Sequence, residues 1–349
     1  MKILQVCDRY VPYFGGVQVH VSNISERLAR EYDVTVYTTD PSGKLPKEEV
    51  INGVLVRRFK GFSPGEAYQF SFGLWKELRN ARFDIVHGHN YHAFPLFFSR
   101  YAGKERFIVT PHYCRKGATK TRDILIKLYR PFGRRIFQEA DRVIAVSNYE
   151  KGLLMEDFNI DDGKIVVLPN GVNLKEFQGL EKKKGKHDTI LYVGRLEKYK
   201  GVQYVIEALP LLGENVRLEI VGKGPYRDKL KGLAERLAVA DRVNWYQDLD
   251  EGELFARYAS ADLFVQLSKY EAFGMAVAEA LAAKTPCIVA NSEALKEWVD
   301  SKNCFGIDYP VVVDRLAGLI TEVIGTEVGE VKLWDWEQVV AELVKLYEE

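Results

Sequence analysis

Cysteine is scarce in this sequence: Cys7, Cys114, Cys287 and Cys304 lie far apart, and none forms a C-x-x-C pair. That spacing argues against a zinc ribbon or a disulfide framework and fits a reducing compartment, with the four thiols as small buried apolar groups. An excess of one charge is also missing. Lys plus Arg and Asp plus Glu both number 49, so no global attraction to nucleic acid is expected. No apolar run is long enough to span a bilayer, and the opening MKILQVCDRY lacks the apolar stretch of a secretory signal. A cytoplasmic location is therefore expected. Internal repeats and low-complexity tracts are absent, as is the G-x-G-x-x-G spacing of a dinucleotide binder, so NAD is not expected.

What the sequence does contain is alternation. Strand-like runs at 3–7, 34–38, 54–59, 85–87, 107–110 and 143–146 are separated by helical stretches such as 15–30. The pattern restarts at 190–193, 217–221, 243–246, 263–267 and 287–290, with helical stretches at 201–212 and 226–237. The order βαβα argues for parallel sheets covered on both faces. A length of 349 residues suits two such domains. The charged run Glu181-Lys182-Lys183-Lys184-Gly185-Lys186 reads as the linker between them. Two doubly wound domains in tandem would place a ligand cleft at the carboxyl ends of their strands. The stretch 334–349 is helical in pattern, with Trp334, Trp336, Val339, Val340, Leu343 and Tyr347 on one stripe.

The most informative segment follows 263–267. Glu271 falls in a strand-to-helix loop, and Glu279 falls inside a helix start that is otherwise apolar (Phe273, Met275, Val277, Leu281). Gly274 permits close backbone approach, and the N–H groups after it open a helix. A carboxylate among apolar residues needs a partner, and a ribose diol would offer two donors. The alternative is a glutamate on a solvated helix face. Glu271 and Glu279, with Phe273-Gly274 between them, resemble the E-x7-E motif of the family 4 retaining glycosyltransferases. The following Ala282-Ala283-Lys284-Thr285-Pro286-Cys287-Ile288-Val289-Ala290 resembles that family's next helix, turn and strand. The resemblance implies that Glu271 touches donor-sugar hydroxyls and Glu279 the ribose hydroxyls. It also implies that the backbone N–H groups of Phe273, Gly274, Met275 and Ala276 line the sugar and phosphate. In a glycoside hydrolase the two carboxyls would flank the bond at about 5–9.5 Å, a constraint this spacing does not impose.

Gly194-Arg195 ends one strand, and Lys200-Gly201 opens the next helix. An arginine fork and a lysine point charge suit a diphosphate whose negative charge grows as it departs. The G-R-x(4)-K-G pattern resembles the family's diphosphate clamp. Gly222 and Gly224, in Gly222-Lys223-Gly224-Pro225, resemble its G-x-G-P turn and are placed beside the nucleotide, with Gln247 at the base edge. Phe14-Gly15-Gly16 resembles its glycine loop facing donor phosphate and acceptor, and His112, in Thr110-Pro111-His112, resembles its cleft histidine near the reacting carbon. Ala140 to Ser147 and Leu168 to Asn173 match further landmarks, so the resemblance covers nearly the whole chain. One departure is the loop after 287–290, where Asn291-Ser292-Glu293-Ala294-Leu295-Lys296-Glu297 replaces the family's Gly-Gly and Pro-Glu.

The resemblance implies an α/β protein of two Rossmann-like doubly wound parallel-sheet domains in the GT-B arrangement. The acceptor-side domain spans 1–172, with 336–349 packing back on it, and the nucleotide-sugar-binding domain spans 173–335. The implied reaction moves a hexosyl group from a nucleoside diphosphate sugar to a hydroxyl acceptor, a sugar, a glycolipid or a lipid-linked precursor, with retention and with domain closure assembling the site. Arg195 and Lys200 stand where other enzymes hold a cation, so no metal or other cofactor is expected. Three alternatives stay open: a sugar-nucleotide epimerase or hydrolase on this fold, a non-catalytic sugar-nucleotide binder, and a metallohydrolase built on His87, His89 and His92. Between Arg115 and Arg135 eight basic residues (Arg115, Lys116, Lys120, Arg122, Lys127, Arg130, Arg134, Arg135) interleave with apolar ones and face only Asp123. Such a stretch either lies on an anionic membrane or packs inward and shows its charges to water.

Overall fold

A computed structural model describes residues 1–13, 15–62, 69–116, 120–180 and 185–349, side chains at 120–122 excepted. Phe14, Glu181 to Lys184 of the charged run, and the Lys120 and Arg122 side chains lie outside what is described. The chain forms two units, Met1–Gly171 with Trp334–Glu349, and Val172–Leu333. The crossing thus falls at Gly171 and Val172, ahead of the charged run read as the linker. Val172 and Phe177 already belong to the second unit's core, which is why the change comes earlier than the charges suggest.

The first unit holds β1 (Lys2–Val6), β2 (Asp33–Asp40), β3 (Glu48–Ile51), β4 (Val54–Lys60), β5 (Ile85–His89), β6 (Arg106–Thr110), β7 (Arg142–Ala145) and β8 (Ile165–Val167). They lie in the order β3-β4-β2-β1-β5-β6-β7-β8. All neighbours run parallel except β3 and β4, an antiparallel edge hairpin. Its turn is Asn52-Gly53, with φ of 49° and 85°, the left-handed pair that a two-residue hairpin requires. The expectation of a purely parallel sheet is corrected at this edge. The helices are α1 (Gly16–Leu28), α2 (Phe72–Asn80), α3 (Phe94–Ser99), α4 (Lys120–Glu139) and α5 (Asn148–Phe158).

The second unit has β9 (Asp188–Val193), β10 (Val216–Val221), β11 (Val243–Tyr246), β12 (Leu263–Gln266), β13 (Cys287–Ala290) and β14 (Cys304–Ile307), in the order β11-β10-β9-β12-β13-β14, all parallel. Its helices are α6 (Leu174–Phe177), α7 (Val202–Ala208), α8 (Arg227–Arg236), α9 (Glu251–Ser260), α10 (Met275–Ala282) and α11 (Val313–Val323). This is the doubly wound order, and the direction of winding reverses between β9 and β12. In the first sheet the same reversal lies between β1 and β5. Successive loops there leave toward opposite faces, so the carboxyl edge opens into a crevice.

The last helix, α12 (Trp336–Glu348), belongs to the first unit. Asp335 caps it with a capping box to Gln338, so Trp334 lies before the helix, outside the stripe expected for it. Trp336, Val339, Val340, Leu343, Leu346 and Tyr347 are buried. Its fit is tight: a Cβ on Gly171 would lie 2.7 Å from Trp336. Glu337 pairs with Arg27 and Arg30 at 3.2 and 2.9 Å.

Candidate active site

At the β9–β12 reversal, two loops from distant parts of the sequence are pressed together. Gly201 has φ +80°, and a Cβ there would lie 2.3 Å from the Leu267 carbonyl oxygen, so only glycine fits. That approach lets Lys200, at the end of the turn Lys198–Lys200, donate from Nζ to Glu271 Oε1 on the loop after β12. Gln266 Nε2 donates to the same oxygen at 2.6 Å. Burial works against the Lys200 ammonium, but the Glu271 charge outweighs it and holds the pKa above the ordinary lysine range. Arg195 sits earlier on the loop, its carbonyl accepting from Tyr192 OH at 2.9 Å. Its guanidinium is 52% exposed and lies 3.2 Å from Glu197. Of the two cations expected to clamp a diphosphate, Lys200 is thus anchored to Glu271, and Arg195 lies half in solvent against Glu197.

Glu271 is held from its backbone as well, its N–H donating to Glu293 Oε2 at 3.0 Å. Glu293 belongs to the loop that departs from the family pattern, so that departure supports the site. Gly274 caps α10 with φ +99°. The first bonds of α10 run from Val277 and Ala278 back to Gly274, so the N–H groups of Met275 and Ala276 precede the ladder. Phe273 is fixed by Trp298, whose Nε1 donates to its carbonyl at 2.7 Å. Glu279 is half-buried, and its Oε2 accepts from Tyr258 OH of α9 at 2.7 Å. Burial pushes its pKa up to about 7, against the lowering effect of the Tyr258 hydroxyl and with the Glu251 charge adding to it.

Gly222 and Gly224 have a reason to be glycine inside the protein. A Cβ on Gly222 would lie 1.9 Å from the Gly194 carbonyl, and one on Gly224 2.2 Å from that of Leu196. They shape the Arg195 loop. Gln247 is exposed, and its Oε1 accepts from Arg227.

In the first unit, Gly15 and Gly16 lead into α1. A Cβ on Gly16 would meet nothing within 4 Å, so the protein's own packing does not demand glycine there. Beside this loop is a cluster of imidazoles. His112 follows β6 with φ 47°. Its ring lies edge-on to His20, centroids 4.9 Å apart, and 6.3 Å from His89. His20 Nδ1 bonds Asn170 Oδ1 at 2.7 Å, and His89 Nε2 bonds Gln5 Oε1 at 2.7 Å. His87 is engaged at both nitrogens, by Tyr347 OH at 2.7 Å and Thr110 Oγ1 at 2.8 Å. Burial drives all four imidazoles toward the neutral form, His20 down to about 4 and His87, His89 and His112 well below the ordinary value. The trio proposed for a metal, His87, His89 and His92, does not assemble. His92 is turned to the Cys114 N–H, at 3.4 Å. Among the described residues, the grouping whose nitrogens come within 4.8 Å of one another is His20, His89 and His112. Nε2 of His20, Nδ1 of His89 and Nε2 of His112 have no hydrogen-bond partner among the described residues.

Comparison with known proteins settles the family. Residues 14–176 match the model of Glycosyltransferase Family 4, and residues 175–330 match Glycosyl transferases group 1. A glycogen synthase of Mycobacterium tuberculosis is 30% identical over 86% of this chain and 80% of its own length. This chain belongs to glycosyltransferase family 4. An uncharacterized glycosyltransferase of Methanocaldococcus jannaschii is 28% identical over 99% of this chain and 98% of its own. Among solved structures, Anabaena HepE in complex with UDP and glucose superposes with a TM-score of 0.79 at 17% identity, over the full length of both chains, which shows the shared GT-B fold.

Within this family 4 chain, the structure brings Arg195, Lys200, Glu271, Phe273 to Ala276 and Glu279 to adjoining loops and helices of the second unit. Gly15, Gly16 and His112 lie at strand ends of the first. Reading the sequence missed Tyr258, Gln266 and Glu293, which hold the two carboxylates, and Gln5, His20 and Tyr347, which bind the imidazole cluster. A polar Gln5 inside the otherwise apolar β1 was a usable signal. Tyr258 had none, because a tyrosine on an apolar helix stripe reads as core.

Proposed function

We propose that this family 4 enzyme transfers a hexosyl group from a nucleoside diphosphate sugar to a hydroxyl acceptor with retention of configuration. The observation that carries the reading is the Lys200–Glu271 pair at the β9–β12 reversal, with Arg195 on the same loop. A nucleotide-sugar donor is supported by the relative crystallised with UDP and glucose. In this assignment the ribose hydroxyls donate to Glu279, and Arg195 and Lys200 take the diphosphate. Glu271 and the N–H groups at the start of α10 take the sugar. Gly15, Gly16 and His112 keep the contacts to phosphate and sugar that the resemblance implies, and Gly222, Gly224 and Gln247 border the nucleotide.

The C1–O bond to the β-phosphate breaks, and the acceptor oxygen bonds C1 on the same face. The acceptor proton passes to the departing phosphate. The clamp cations stabilise the growing negative charge on the diphosphate without a metal ion. Glu271 is tied to Lys200 and Gln266, a poor arrangement for a free nucleophile. No metal is required in this reading. The neutral His112 Nε2 is left to accept or donate a hydrogen bond at the sugar.

The experiment is a thermal-shift screen against a nucleotide-sugar panel, followed by product analysis with the stabilising donor. The expected result is one stabilising donor class, release of its nucleoside diphosphate, full rate in EDTA, and a product anomer matching the donor by NMR. Loss of activity in EDTA restored by a divalent metal would move the reading to the His20, His89 and His112 trio. An inverted anomer would refute retention.

A further inference from the structure

The first unit carries an exposed apolar surface among its described residues. Helix α4 buries Ile126, Tyr129, Ile136 and Phe137. A surface helix of this kind should be polar on its other side. Instead Ile124, Leu125, Leu128 and Phe132 stand in solvent, Ile124 58% and Leu128 67% exposed. The surface continues beyond the helix. The Phe132 ring contacts Phe97 (centroids 5.1 Å) and Phe94 (6.4 Å), and Phe97 reaches the exposed Tyr101 at 6.0 Å. Phe94 lies 5.8 Å from the exposed Phe70. Phe70 exchanges backbone hydrogen bonds of 2.8 and 2.9 Å with Phe62, which is 71% exposed. Patches this extensive mark an interaction surface.

The charges beside it have one sign. Between Asp123 and Glu139 the helix has no acidic residue, while Lys127, Arg134 and Arg135 are exposed. At 100° per residue, Lys127 and Arg134 line one edge of the Ile124, Leu128 and Phe132 stripe. Glu139 is taken up by Arg100, Nε to Oε2 at 2.7 Å, and Asp157 by Arg115 and Arg130. Exposed aliphatic and aromatic groups edged by cations suit the boundary between acyl chains and anionic headgroups. The whole chain has no net charge, so the attraction is local.

We propose that the α4 face, with Phe62, Phe70, Tyr101 and Phe132, docks on an anionic lipid bilayer and that the acceptor hydroxyl is carried by a membrane lipid; the second half rests on the transferase reading above. The test is co-sedimentation with vesicles of phosphatidylglycerol and phosphatidylcholine in equal parts, against phosphatidylcholine alone. The wild type is expected to bind the mixed vesicles and to be released by high salt. Ile124→Glu with Leu128→Glu is expected to weaken binding about ten-fold or more. Lys127→Glu with Arg134→Glu should weaken it on the anionic vesicles alone. All four side chains are exposed, so melting temperature should be kept. Absence of binding, or binding by both variants equal to wild type, overturns the proposal. So does light scattering that shows a dimer broken by the Ile124 and Leu128 changes without vesicle binding, because a second copy then covers the face. Release of nucleoside diphosphate in vesicle-free solution reads the transferase assignment separately and should be unchanged in the Ile124 and Leu128 variant.

Discussion

Arg195 and Lys200 are cations of one loop with different surroundings, and their substitutions should separate accordingly. The Arg195 side chain is half in solvent, and such ion pairs are worth about 1 kcal/mol or less. Arg195→Ala should therefore keep the melting temperature and lower kcat by about 10²–10³-fold, as for loss of a donor to a developing anion. Lys200→Ala strips a partly buried Glu271 of its cation and should cost about 2 kcal/mol in denaturant unfolding besides lowering kcat. Equal stability losses for the two would contradict this division. Glu279 makes a prediction in pH. Its folded pKa is raised from 4.5 to about 7, so the native state keeps a proton that the unfolded chain has released. Its contribution to stability is full below pH 4.5 and is lost as pH rises through about 7, at about 1.4 kcal/mol per pH unit. Glu279→Gln should remove that slope, measured by ligand-free thermal unfolding. Donor affinity should run the other way and weaken as pH falls through about 7, because ribose hydroxyls donate to the carboxylate; titration calorimetry with the nucleoside diphosphate reads it, and a flat profile refutes the Glu279–ribose contact. The residue types of this site were legible from their spacing. The partners that set their protonation were not, because Tyr258 and Gln266 reach them only through packing.

Among the elements, the long buried strands announced themselves and the short edges did not. β3, β8 and β14 are edge strands that are only partly buried, so they lack the continuous apolar run that marked the equally short β7, β12 and β13, although Asn52-Gly53 was a hairpin signal in plain view. α12 was legible as a helix, but its polar contact was not. Tyr347 OH meets His87 Nδ1 at 2.7 Å and accepts from Gln5 Nε2 at 3.1 Å, tying the last helix to β1 and β5. Tyr347→Phe leaves two buried polar groups short of a partner and should cost about 1–3 kcal/mol, seen as a lower denaturant midpoint with an unchanged m-value. A neutral result would mean that water replaces the hydroxyl.

For the whole molecule, the pH balance is set by histidines. His20, His87, His89 and His112 are neutral when folded, with pKa values below the ordinary 6.5, so the unfolded chain takes up protons that the native state refuses. Their stability contribution is present above pH 6.5 and is lost as pH falls below it, for His20 down to about 4, at about 1.4 kcal/mol per pH unit for a single group. Glu279 and Glu150, whose pKa burial also pushes up to about 7, act with the opposite sign over an overlapping window. Burial raises Asp8 and Glu207 in the same sense, but by smaller shifts from 3.8 and 4.5, so the four imidazoles still predict a net loss of melting temperature between about pH 6.5 and 5, followed by calorimetry. A melting temperature that rises over that interval would show the imidazoles charged in the native state.

The sequence by itself determined the two doubly wound sheets and the family, and it named the residues proposed here as clamp and carboxylates. These follow from local periodicity and from short spacings that a single loop must satisfy. The tertiary structure alone decided which groups are charged and which surfaces are left bare. It joined Lys200 to Glu271 through the Gly201–Leu267 approach, gathered four imidazoles from α1, β5 and the end of β6, and left Ile124 and Leu128 in solvent while Tyr129 turned inward. The physical reason is that protonation and exposure depend on the neighbours packed around a group, and those come from parts of the chain that no local pattern connects.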